Sequence, residues 1–232
     1  MLAAAAVCPH PPALHPILAG GAVGELEPLR QACDEAVRSL ITASPDAIVA
    51  VGPLRGSEPL SSGLGPYGVD VELCSQPLPL SLLLASFLLD RAGWDGQRIF
   101  ECVPADAGVD ECLARGKVID GEPTRVSMLV MGDGSARLTE KAPGWVAPGA
   151  EPFDEAVARA LAGADVAALG KLDPEACERL LVGGRAAWQV LAGAAQSHPM
   201  EGRLLFHDAP YGVGYFVALW TLRPGANSST AA

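Results

Sequence analysis

Residues 2–7 read LAAAAV, and residues 8–12 continue the chain as CPHPP. An unbroken apolar run of this length is typical of a strand that is buried on both faces of a parallel sheet. The prolines that follow end the strand and stiffen the backbone around His10. The segment therefore predicts a buried first strand that presents His10 at the rim of a sheet, where an imidazole can face a metal ion or a ligand.

Strand and helix patterns alternate along the rest of the chain. Apolar residues at steps of three and four predict a helix over residues 25–43, and AIVAV at residues 47–51 predicts another buried strand. Further strands are predicted at residues 69–73, 98–103, 125–130, 203–207 and 213–222, and further helices at residues 78–92, 151–161, 173–182 and 186–195. The last two strands are expected to form an antiparallel hairpin.

This alternation predicts an α/β fold. We expect a single domain over residues 1–223, with a central, mostly parallel mixed sheet and helices on both of its faces. Residues 224–232 are rich in Gly, Asn, Ser and Ala, and they are predicted to form a disordered tail.

Charge and composition exclude several classes of function. The chain has 232 residues, and its 16 basic and 27 acidic side chains give a net charge of −11. An acidic chain without a basic cluster repels phosphate backbones, so a nucleic-acid partner is not expected. No apolar run reaches the ~18 residues that span a membrane, and the N-terminus lacks the basic residues of a signal peptide. We therefore expect a cytoplasmic protein, in which the six cysteines are free thiols.

Three predicted strand ends carry candidate site residues. His10 follows the first strand, Leu54 follows the second, and Gly132 and Asp133 follow the strand at residues 125–130. In an open α/β sheet, ligands bind beyond the carboxyl ends of the strands. All three segments therefore lie where a ligand site is expected.

With these segments the chain resembles the class III extradiol ring-cleavage dioxygenases of the LigB superfamily, which also includes the Memo-like proteins. The matching segments are CPHPP at residues 8–12, IVAVGP at 48–53, MGDGSARL at 131–138, FD at 153–154 and PYGVGY at 210–215. Their order and spacing carry the resemblance, which covers most of residues 2–222. It implies an extradiol dioxygenase-like fold.

The resemblance also implies a metal site. Active members of the superfamily bind non-haem Fe(II), or another metal, through two histidines and a third side chain that is often a carboxylate. The resemblance matches the first ligand to His10, the second to Leu54, and the acid/base histidine to Ala136. Asp208 is the nearest acidic candidate for the third ligand. In the Memo-like branch a cysteine serves near the segment matched by residues 183–184, which are glycines in this chain.

The departures from that pattern suggest a protein without ordinary ring-cleavage activity. A leucine cannot coordinate a metal ion, and loss of an acid/base residue removes a contribution of roughly 10²- to 10⁴-fold. We therefore expect a non-enzymatic or much altered member that binds a small molecule or works through a protein partner, and that forms a homo-oligomer. Its pocket is expected at His10, Leu54, Arg55, Ala136 and Tyr211. Arg55 would reach an anionic ligand, and His10 and Asp208 would hold a metal.

Two alternatives stay open at this point. The first is a working metal-dependent dioxygenase that acts on a catechol-like aromatic and takes its missing ligands from His15, His207 or Asp208. The second is a metal-dependent hydrolase on the same frame. The sequence leaves open whether the chain is an enzyme and whether it binds Fe(II), Zn(II) or no cofactor.

Overall fold

The computed structural model describes residues 1–224, so nearly all of the tail expected at residues 224–232 lies outside the described residues. Within them, six strands form one sheet in the order β3-β2-β4-β1-β6-β5. These strands are β1 Leu2–Cys8, β2 Ala47–Leu54, β3 Gln97–Pro104, β4 Val126–Met131, β5 Met200–Asp208 and β6 Tyr215–Leu222. The first four run parallel to one another, and β6 pairs antiparallel with both β1 and β5. The predicted mostly parallel mixed sheet and the terminal hairpin are confirmed.

Eight α-helices connect the strands in the described part of the chain. They are α1 Pro16–Ala19, α2 Glu27–Thr42, α3 Leu80–Arg91, α4 Val109–Gly121, α5 Ala150–Ala162, α6 Val166–Gly170, α7 Pro174–Arg179 and α8 Arg185–Ala195. Asp173 caps α7 as its sequence predicts, because its side chain accepts a hydrogen bond of 3.0 Å from the Ala176 N–H. Within residues 1–224, no helix is long and apolar enough to cross a membrane.

The sheet separates two hydrophobic cores. All seven residues of β1 are buried, and alternate side chains point to opposite faces, so Ala4 and Ala6 join one core while Ala5 and Val7 join the other. Helices α2 and α3 cover the first face, and α4, α5 and α8 cover the second. The structure is therefore the single α/β domain, helical on both faces, that the sequence predicts.

Glycines allow α4 and α8 to pack with their backbones almost in contact. A Cβ atom added to Gly193 would clash with the Leu113 carbonyl oxygen, and one added to Gly116 would clash with the Val190 carbonyl oxygen. This close packing fixes the position of α8, whose first residue lies beside the candidate site.

The structure differs from the sequence predictions in one absent strand and in helices that were not predicted. Residues 69–73 form no strand; this loop packs on itself through isolated bridges that join Gly63 to Glu72 and Ser61 to Leu78. The alternating pattern is present, but among the described residues it pairs only through the isolated bridge at Glu72. Helices α1, α4 and α6 are not predicted by the sequence patterns.

Candidate functional site

His10 lies just beyond the carboxyl end of β1 and is held there by Asp133, which follows β4. The His10 N–H donates a hydrogen bond of 2.8 Å to Asp133 Oδ1, and Nδ1 of the His10 ring lies 3.6 Å from the same oxygen. The Nδ1 atom is buried and, among the described residues, has no hydrogen-bond partner. Because Asp133 faces the Nδ1 side of the ring, Nε2 is the ring nitrogen available to a ligand.

Arg55 and Gly183 complete this group of residues. A Cβ atom placed on Gly183 would lie 3.3 Å from Arg55 Nη2, 3.4 Å from Asp133 Cβ and 3.5 Å from His10 Cε1. The three side chains therefore surround a position that carries no side chain of its own. We call His10, Arg55, Asp133 and Gly183 the His10 site.

A cavity of about 280 Å³ adjoins the His10 site and shares Arg55 with it. We call it the Arg185 cavity. Its other lining residues are Ala105, Asp106, Pro174, Cys177, Glu178, Leu181, Val182 and Arg185. Asp106 and Glu178 are exposed, whereas Arg185, the first residue of α8, is only 4% exposed. The cavity therefore has a buried cation and exposed carboxylates.

Arg185 fastens the start of α8 to the loop after β3. Its Nη1 donates to the Ala107 carbonyl oxygen at 2.8 Å and to Gln189 Oε1 at 2.9 Å, and its Nη2 donates to the Ala105 carbonyl oxygen at 2.7 Å. In the part of the chain that the structure describes, no carboxylate lies within 4 Å of its guanidinium. All of its partners there are thus neutral.

A second cavity, of about 360 Å³, lies between the start of α5 and the end of β5. Asp154 lines it and is 2% exposed; its Oδ1 accepts a hydrogen bond of 2.9 Å from the Ser135 N–H, while Oδ2 has no partner within residues 1–224. Burial raises the pKa of Asp154 to about 7. His207 and Asp208 also line this cavity, and burial lowers the pKa of His207, whose ring stacks on Phe216 at 4.8 Å.

The structure places the predicted pocket residues in different surroundings. Leu54 is the half-buried last residue of β2, next to Arg55, and Ala136 is half-buried with its carbonyl oxygen bonded to the Gly144 N–H. Tyr211 lines neither cavity, and its hydroxyl donates a hydrogen bond of 3.0 Å to Glu25. Of the five predicted pocket residues, His10 and Arg55 are the two that meet at Gly183.

The residues predicted to hold a metal do not come together. Asp208 lies in the second cavity and makes no ion pair with His10 within 4 Å, while Asp133 is the carboxylate that faces His10. His15 accepts a hydrogen bond from the Ile17 N–H and packs against Phe87, so it caps α1. Over residues 1–224, no group of three or more His, Cys, Asp or Glu side chains could hold a metal ion.

The metal that the resemblance implies does not fit these residues. His10 supplies one imidazole, but Leu54, Ala136 and Gly183 supply no side-chain donor atom. A stable site for Fe(II) or Zn(II) needs at least three protein ligands, and the guanidinium of Arg55 beside His10 would repel a cation.

Arg185 does not stand out in the sequence as a site residue. The sequence places Asp133 at a strand end where a ligand site is expected, and it indicates Gly183 only through the resemblance, at the segment where a cysteine serves in the Memo-like branch. For Arg185 the available signal is an arginine that directly follows Gly-Gly at the start of a mostly apolar helix.

Comparisons with known proteins give no function for the chain. No protein-family model matches it, and no curated protein matches it. Among solved structures, the uncharacterized protein JW3007 from Escherichia coli K12 is similar to it, with 13% sequence identity and a TM-score of 0.48 over 94% of this chain and 99% of that one. What this chain does is therefore inferred from its own residues.

Proposed function

We propose that this chain is an extradiol dioxygenase-like protein that binds a small molecule at the His10 site and does not perform ordinary Fe(II)-dependent ring cleavage. One observation carries the proposal. Where the resemblance implies a metal centre, His10 is surrounded by Arg55, Asp133 and a glycine. A cytoplasmic location and a homo-oligomer remain predictions.

The His10 site carries both signs of charge, because Arg55 brings a guanidinium and Asp133 brings the carboxylate that faces His10. Arg55 is exposed, and no carboxylate within residues 1–224 lies within 4 Å of its guanidinium. Because Asp133 Oδ1 already accepts a hydrogen bond from the His10 N–H, the guanidinium of Arg55 is the charged group left for a ligand, and it favours a polar or anionic ligand over a metal cation.

The geometry supports binding by hydrogen bonds. Asp133 holds the His10 backbone and orients the imidazole, so that Nε2 can exchange a hydrogen bond with a ligand. The adjoining cavity of about 280 Å³ limits the ligand to a small one, because pockets for drug-sized molecules begin at roughly 300 Å³.

Metal titration tests the first half of the proposal. Wild type, His10→Ala and His207→Ala would be purified anaerobically and titrated with Fe(II), Zn(II) and Mn(II), with catechol cleavage as a second measurement. We expect no stoichiometric metal in any of the three proteins and no ring cleavage. One metal per chain that is lost in His10→Ala, but kept in His207→Ala, would overturn the proposal and restore the dioxygenase.

Ligand screening tests the second half. The imidazole signals of His10 would be followed by NMR while a library of small polar molecules is added, with the His198 signals as an internal control. We expect members of the library to shift the His10 signals saturably. A library that leaves them unmoved would contradict ligand binding at this site.

A further inference from the structure

We propose that the ligand of the His10 site carries an oxyanion group, which Arg185 and Arg55 bind inside the Arg185 cavity. This inference rests on the proposed function, because it names the class of ligand that the same site takes.

The first step is the unbalanced charge of Arg185. Buried charges in proteins are usually paired with an opposite charge. Arg185 is 4% exposed, yet its partners are two carbonyl oxygens and the Gln189 amide oxygen. A guanidinium has five N–H donors, and these bonds use two on Nη1 and one on Nη2. One donor on Nη2 and the Nε donor have no partner among the described residues, which leaves them for an anion.

The second step is the arrangement of charge across the cavity. Arg55 provides a second guanidinium on its wall, while Asp106 and Glu178 are exposed. Water and salt screen exposed carboxylates far more than a buried guanidinium. The lining therefore holds two cations and two anions, but the buried end of the cavity is positive.

The third step is the start of α8. Gly184 precedes this eleven-residue helix and provides no side-chain cap, so the first N–H groups of α8 carry their partial positive charge beside Arg185. On its own a helix N-terminus would not define a site. Here it adds to the field of a buried guanidinium that has only neutral partners among the described residues.

The fourth step is the apolar part of the lining. Ala105, Pro174, Leu181 and Val182 contribute walls that an inorganic ion would not use. The cavity is thus suited to a small organic anion, whose carboxylate or phosphate group contacts the arginines and whose apolar part contacts these walls.

Calorimetric titration at constant ionic strength tests the inference. The probes are benzoate, phenyl phosphate and inorganic phosphate, with benzamide as the neutral counterpart of benzoate. We expect 1:1 binding of an organic anion at least tenfold tighter than that of benzamide. If inorganic phosphate binds as tightly as phenyl phosphate, the claim that the ligand contacts the apolar walls is wrong.

Variants test whether Arg55 and Arg185 bind the anion. Arg55→Gln changes an exposed side chain and is expected to weaken anion binding at least tenfold, and Arg185→Lys is expected to do the same because it loses the fork of donors. Arg159→Gln, an exposed arginine on α5, is the matched control and should leave binding unchanged. Circular dichroism identifies a variant that fails to fold. If Arg185→Lys fails to fold, Arg55→Gln still tests the inference.

Failure of this inference differs from failure of the proposed function. Equal affinity for benzoate and benzamide, full affinity in Arg55→Gln, or no anion binding would overturn the inference. A neutral molecule that shifts the His10 signals would still uphold the proposed function. Stoichiometric metal bound through His10 would overturn the proposed function itself.

Discussion

Asp154 is a buried carboxyl group with one unpartnered oxygen among the described residues, and its burial couples folding to pH. Oδ2 of Asp154 lies against Gly134 and Gly214, where any larger side chain would collide with it. Within residues 1–224, the carboxyl group of Asp154 accepts one hydrogen bond, which the Ser135 N–H donates to Oδ1. A carboxylate in this position is poorly solvated, which is why its pKa rises to about 7.

We predict that Asp154 contributes a fall in the free energy of unfolding as pH rises from about 4 to 7. In this range the unfolded chain has lost the Asp154 proton while the folded chain keeps it, so stability decreases by up to about 1.4 kcal/mol per pH unit. Asp154→Asn should remove this slope, which denaturant unfolding at pH 5 and pH 8 would measure. The exposed neighbour variant Glu155→Gln should keep it, and an unchanged slope in Asp154→Asn would contradict the prediction.

Single residues show which parts of the site can be predicted from the sequence. His10 and Arg55 are predictable because each follows a buried strand, and the carboxyl ends of parallel strands share one edge of the sheet. Gly183 and Arg185 come from a segment more than 170 residues from His10, and tertiary packing brings them there. Tyr211 lines neither cavity and bonds to Glu25 instead, a contact that nothing local in the sequence indicates.

At the scale of elements, the contact between α4 and α8 depends on two glycines that face each other's backbones. We predict that Gly193→Ala destabilises the protein by roughly 1–3 kcal/mol, because the added methyl group forces the helices apart. Gly121 lies at the exposed end of α4, and a Cβ atom added there would meet no described atom within 4 Å beyond its own chain neighbours. Gly121→Ala should therefore be neutral or stabilising by about 0.5–1 kcal/mol. Chemical denaturation compares the two, and equal effects would contradict close packing at Gly193.

The same contact explains why the sequence does not reveal α4. Within α4 the fully buried residues are Cys112 and Gly116, so the helix lacks an apolar stripe of the usual width. Hydrophobic periodicity does not reveal a glycine that serves as a contact residue, because glycine carries no apolar side chain. The buried strands and the buried helix α3 are predictable because continuous apolar runs do not depend on such contacts.

At the scale of the whole molecule, the two cores share one sheet, so neither persists without it. We predict a single cooperative unfolding transition. In a Trp94→Phe/Trp145→Phe variant, fluorescence reports on Trp188 and Trp220, which are both fully buried on one face of the sheet. Their transition should coincide with the loss of helical circular dichroism in guanidinium chloride. Separate midpoints would show that the two faces unfold independently.

The order of the strands also affects how the chain folds during its synthesis. β1 pairs only with β4 and β6 among the described strands, so its neighbours leave the ribosome more than a hundred residues after it does. At about 5–20 residues per second, that delay is on the order of ten seconds. During this time the nascent chain exposes LAAAAV without a hydrogen-bonded neighbour, and it is then a natural client for a chaperone that shields apolar segments.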